Sequence, residues 1–130
     1  MKYVSKDGLL ELKYNQVCPS EELKAELLTA LMYAYDKSIK HWLLDLTQTN
    51  ALEDSEEAWL YGFLVPEMMM RLGSDNYLAI VLSESCFTDL LHRLGESGLR
   101  SYNSFVSINF FCEYRLAHAW LRDRLLLNAS

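Results

Sequence analysis

Three observations predict an α/β layer with a mostly parallel sheet of five strands and four helices. Short apolar runs such as Trp42-Leu43-Leu44 and Tyr77-Leu78-Ala79-Ile80-Val81-Leu82 suit strands buried on both faces. Between them lie longer stretches with apolar residues at the 3/4 spacing of amphipathic helices. Near the start, Asp7-Gly8 separates two short segments in the manner of a tight hairpin turn. The resulting order is β-β-α-β-α-β-α-β-α, whose later strands are joined by crossover helices. At 130 residues, without repeats, low-complexity segments or linkers, residues 1–130 read as a single domain.

Each element has its own signal. Leu10, Leu12 and Tyr14 alternate with Glu11, Lys13 and Asn15, giving the second hairpin strand one buried and one wet face. Pro19-Ser20-Glu21-Glu22 opens a helix, with Ser20 able to cap it and two acids in the first turn, where the helix dipole favours them. Its stripe is Leu23, Leu27, Ala30, Leu31, Ala34 and Tyr35, and it ends near Lys37. The His41–Leu46 run, broken only by Asp45, reads as a central parallel strand. A polar turn follows, and Asp54 or Ser55 can cap the next helix, with Asp54-x-x-Glu57 a variant capping box.

That helix, from Ser55 to about Leu72, has almost no polar face, and Pro66 is expected to kink or interrupt it. Gly73-Ser74-Asp75-Asn76 ends it in a turn. After the Tyr77–Leu82 strand, Ser83-Glu84-Ser85 leads into a helix striped by Phe87, Leu90, Leu91 and Leu94, with Gly95 and Gly98 as terminators and a loop from Gly95 to Tyr102. Residues 105–111 alternate Val106, Ile108 and Phe110 against Ser107 and Asn109, which suits a strand nearer an edge. The last helix, from about Glu113, presents Leu116, Ala117, Trp120 and Leu121.

Composition narrows the function. A formal net charge of −6 disfavours nucleic acid and an anionic membrane surface as partners, because both need clustered Lys and Arg. Cys18, Cys86 and Cys112 are odd in number, far apart and without a CxxC pair, as for reduced thiols in a cytoplasmic protein. The N-terminal residues lack the pattern of a signal peptide, and no stretch approaches the roughly 18 apolar residues of a membrane span. The chain has no GxGxxG, GxxxxGK, GxSxG or HExxH motif, and His41, His92 and His118 have no metal-ligand spacing. No catalytic residues, metal or cofactor are therefore expected, and the chain reads as a non-enzyme.

The element order resembles the STAS domain of anti-sigma-factor antagonists and the wider SpoIIAA-like (STAS/Sec14-type) family. Local features add to the likeness. Asp54 to Trp59 followed by Phe63-x-x-Pro66 resembles the Trp-containing second helix, Tyr77–Leu82 its following strand, and Phe110-Phe111 with Ala117-x-x-Trp120-Leu121 the strand-to-helix ending of small bacterial members. The resemblance implies a non-enzymatic domain working through protein contacts. It also implies a phosphoacceptor at Ser55, ten residues after Asp45, although Asp54-Ser55-Glu56 stands where the family has Asp-Ser-Ser-Gly. The Sec14-like side of the family implies a small apolar or lipid-like ligand.

Two regions are candidate sites. Asp45, Thr47, Asn50, Asp54, Ser83 and Ser85 follow two strands, where open α/β sheets bind ligands beyond the carboxyl ends. The same residue types also close turns and cap helices. Trp59, Phe63, Val65, Met68, Met69 and Met70 make the second helix apolar nearly all round. A sheet-packed helix needs only one apolar stripe, so these residues suit either a protein partner or homodimer contact, or the wall of an apolar pocket.

Overall fold

A computed structural model of the chain describes residues 2–6, 8–13, 21–47, 60–98, 100–101 and 105–129. The hairpin pairs β1 (Lys2–Lys6) antiparallel with β2 (Leu9–Lys13). Lys6 lies opposite Leu9, and Gly8, just before Leu9, has φ +81°, the left-handed conformation that tight hairpin turns favour. From β2 the chain passes through α1 (Glu21–Lys37) to β3 (His41–Leu46). A π-helical turn (Leu60–Leu64) and α2 (Val65–Leu72) then lead to β4 (Asn76–Leu82). Next come α3 (Glu84–Gly98), β5 (Arg100–Ser101), β6 (Val106–Phe111) and α4 (Tyr114–Ala129).

The strand order is β1-β2-β3-β4-β6-β5. Strands β2, β3, β4 and β6 are parallel, and β1 and β5 flank them antiparallel. Among the described residues, the expected five strands are thus corrected to four parallel strands within a sheet of six. The additional strand, β5, lies in the stretch expected to be a loop. Two residues are too few for an alternation signal, and only the pairing of Arg100 with Asn109 and Ser101 with Ile108 defines it.

The chain is wound in one direction. Each crossover moves it one place along the parallel strands, so connections of the same hand leave their helices on the same face. Accordingly Ala30, Leu31 and Ala34 of α1, Val65, Met68 and Leu72 of α2, and Cys86 and Leu90 of α3 share one core with Trp42, Leu44, Ile80 and Phe110. The opposite face, with Leu9, Leu43, Ala79 and Val81, packs against Ala117 and Leu121 of α4. Strand β3 is buried on both faces because it lies between β2 and β4 and between the two helix layers.

The helix ends follow from local chemistry. Helix α1 closes in a Schellman motif, in which the Ile39 and Ser38 N–H groups donate to the Ala34 and Tyr35 carbonyls at 2.8 and 3.3 Å. Ser38 takes the left-handed position with φ 57°, and Ile39 is buried beyond it. Pro66 falls in the first turn of α2, where its missing N–H costs nothing, and the wider π turn meets the α-helix there. The long apolar helix expected from Ser55 to Leu72 is therefore divided at Val65, and residues 55–59 lie outside the described residues. In α3, Gly95 has φ 75° and breaks the helical path within the assigned span. Among the described residues, no helix is long and apolar enough to cross a membrane.

Three apolar stripes are narrower in the fold than in the sequence. Tyr35, Leu94 and Leu116, each expected to face the core, are exposed. Each lies beside a better-buried neighbour, and a helix offers the core only a limited arc.

Candidate functional site

Asp45 and Ser83 belong to adjacent parallel strands. Leu46 pairs in register with Leu82, so Thr47 and Ser83 both leave the sheet at its carboxyl edge. The Asp45 carboxylate oxygen Oδ1 accepts from the Thr47 N–H at 3.0 Å and from the Thr47 hydroxyl at 2.6 Å. This is an Asx turn, in which a short acidic side chain supplies the acceptor that the departing backbone lacks. The Ser83 hydroxyl oxygen accepts from the Cys86 N–H at 3.3 Å and its carbonyl accepts from Phe87 at 2.8 Å, so Ser83 caps α3. Ser85 is exposed in the first turn of that helix. Asp45, Thr47 and Ser83 thus share one edge while serving the turn and the cap. Asn50, Asp54, Ser55 and Trp59 lie outside the described residues.

The face covered by α4 brings in residues that sequence reading missed. The Tyr114 hydroxyl donates to the Glu11 carboxylate across 103 residues of chain. The Tyr114 phenol is pushed up to about 12, first by burial, then by its hydrogen bond to Glu11 and by the negative charges of Glu11 and Asp45. At neutral pH it is a protonated donor. His118 stacks obliquely on Tyr114 at 5.8 Å between ring centroids. Beside them a depression of about 440 Å³ is lined by Tyr114, Arg115, His118 and Arg122, among others. The only local clue was the position of Glu11 on the wet face of its strand.

At the other end of the same face, His41 is buried and stacks on Tyr77 with ring centroids 5.1 Å apart. Tyr77 meets the edge of Trp120 at 6.0 Å, and the Arg124 guanidinium lies 5.1 Å from the centre of that indole. Burial lowers the His41 pKa, opposed by a hydrogen bond with the Arg124 backbone. His92 is exposed, Cys86 is buried and Cys112 is exposed. Among the described residues, no three His, Cys, Asp or Glu side chains gather as a metal site.

The apolar residues of the second helix have different environments. Val65 and Met68 are in the core, while Phe63 and Met69 are partly buried against it. Met70 is 80% exposed, and on α1 Met32 and Tyr35 are 64% and 70% exposed. Between the two helices runs an open groove of about 460 Å³ lined by Leu31, Met32, Tyr35, Asp36 and Arg71. Arg71 donates from Nε to Glu67 at 2.6 Å, one turn earlier. The groove can bind apolar atoms along its floor, with one acid and one guanidinium available at its walls.

No family model matches the chain, and no curated protein matches it significantly. The fold and surface define an α/β protein with a one-way-wound sheet and an open groove between α1 and α2.

Proposed function

We propose that the chain is a STAS/SpoIIAA-like interaction domain that acts through protein contacts and catalyses no reaction. The observation that carries this reading is the groove, where the exposed Met32 and Tyr35 of α1 line one opening with Arg71 of α2. Large apolar side chains this exposed and this close together are a feature of binding surfaces. The unbranched Met32 side chain can adapt to a partner's shape. The element order, a hairpin followed by alternating helices and strands and a final helix, supports the family reading. Affinity capture with the wild-type chain, set against a Met32→Asp, Tyr35→Asp double variant, tests it. Enrichment of a protein by the wild type and its loss in the folded variant support the reading; light scattering that shows only monomer, together with no enriched protein, overturns it.

The groove also favours a second reading, a site for a small apolar or lipid-like ligand. Its volume lies in the range of small-molecule sites and it borders α2. Native mass spectrometry of the purified chain distinguishes the two, since a retained ligand adds a discrete mass.

A further inference from the structure

We infer that the groove between α1 and α2 binds the same groove of a second copy of this chain, through a two-fold axis that pairs Asp36 of each copy with Arg71 of the other. The inference rests on the interaction-domain reading and names the partner. Its first support is the outward side of α1. Ala25, Thr29 and Met32 are exposed at successive turns, and the Thr29 hydroxyl is already donating to the Ala25 carbonyl at 3.0 Å. That stripe is uncharged along two turns and has no free hydroxyl hydrogen to offer. A helix face meant only for water usually carries charge. The small Ala25 and Thr29 side chains also let another backbone approach closely.

The second support is the placement of charge. Asp36 and Arg71 line one groove from different helices, Asp36 on α1 and Arg71 on α2. They form no ion pair with each other, and Asp36 has no hydrogen bond or ion pair among the described residues. Arg71 uses Nε for Glu67, which leaves its terminal amino groups for another carboxylate. A two-fold interface is self-complementary, so what residue i gives to residue j it receives in return. An axis through the groove carries each acid to the other copy's guanidinium, forming the same pair twice around a centre of Met32 and Tyr35. A groove of one charge would repel its own copy; this one has both.

The reciprocal geometry gives a test that other partners do not pass. Light scattering across the micromolar to millimolar range is expected to show the wild-type chain approaching twice its 15.1 kDa mass. Asp36→Arg and Arg71→Asp, each alone, place like charges together twice and are expected to raise the dimer dissociation constant by about tenfold or more. An equimolar mixture of the two variants restores both opposite-charge pairs in a heterodimer and is expected to recover the dimer mass. Circular dichroism checks that each variant keeps its helices. A wild-type chain that stays monomeric overturns the inference, as does a dimer unaffected by either reversal or a mixture that fails to reassociate. Those failures leave the interaction-domain reading standing if affinity capture still enriches a different protein through this surface.

Discussion

His41 shows at the scale of one residue what burial does to charge. Its ring lies between the sheet and α4, stacked on Tyr77, and its Nε2 atom is buried without a hydrogen-bond partner among the described residues. The folded protein therefore holds its pKa below the ordinary 6.5. As pH falls through that value, the unfolded chain takes up a proton that the folded ring resists, and the difference favours unfolding. The contribution is fully present above pH 6.5 and is lost as pH falls towards the lower folded pKa. Urea midpoints measured from neutral to mildly acidic pH are expected to fall more steeply for the wild type than for His41→Phe. Equal slopes would show that the ring is not the group responsible. Ser38 gives a second residue-scale prediction. Its φ of 57° in the α1 terminus suits glycine, so Ser38→Gly is expected to stabilise the protein by about 0.5–1 kcal/mol in urea unfolding. Neither residue was marked by the sequence, because a single His or Ser gives no periodic signal.

At the scale of an element, the second helix separates what periodicity can and cannot tell. Its composition identified an apolar segment and Pro66 marked the place of interruption, where the π turn gives way to α2. Three consecutive methionines, however, point in three directions around a helix. Met68 is fully buried, Met69 is half-buried and Met70 is exposed. Sequence alone could not rank them, since they share one side chain and the ranking depends on the sheet beneath. Met68→Ala is expected to cost about 2–5 kcal/mol by leaving a cavity among packed neighbours. Met70→Ser is expected to change stability by less than about 0.5 kcal/mol, because the side chain is exposed. Guanidinium unfolding of the two variants checks the contrast. The central strands were easier to read, because a strand covered on both faces has an unbroken apolar run, as in β3 and β4. The Tyr114–Glu11 bond was not legible, because no local pattern links residues so far apart in the chain.

At the scale of the whole molecule, the one-way winding makes the two faces of the sheet unequal. The alternation of strands and helices was legible in the sequence, but β5, the strand order and the shared side of α1, α2 and α3 arise only from tertiary pairing. Helices α1, α2 and α3 cover one face, and α4 packs over Leu9, Leu43, Ala79 and Val81 on the other. The last helix is therefore a structural cover as well as a terminal element. Its hold is aromatic as much as aliphatic, since Trp120 meets both Tyr77 and Phe111 with ring centroids about 6 Å apart. Trp120→Ala is expected to cost roughly 3 kcal/mol, the lower end for loss of a large aromatic side chain, because Trp120 is only half-buried. Ending the chain after Glu113 removes the cover entirely and exposes the apolar face. That shortened chain is expected to bind a hydrophobic dye and associate through the bared sheet, even though every residue of the larger core is retained. If it stayed monomeric, failed to bind dye and unfolded at the wild-type urea concentration, α4 would not be the cover that this packing makes it.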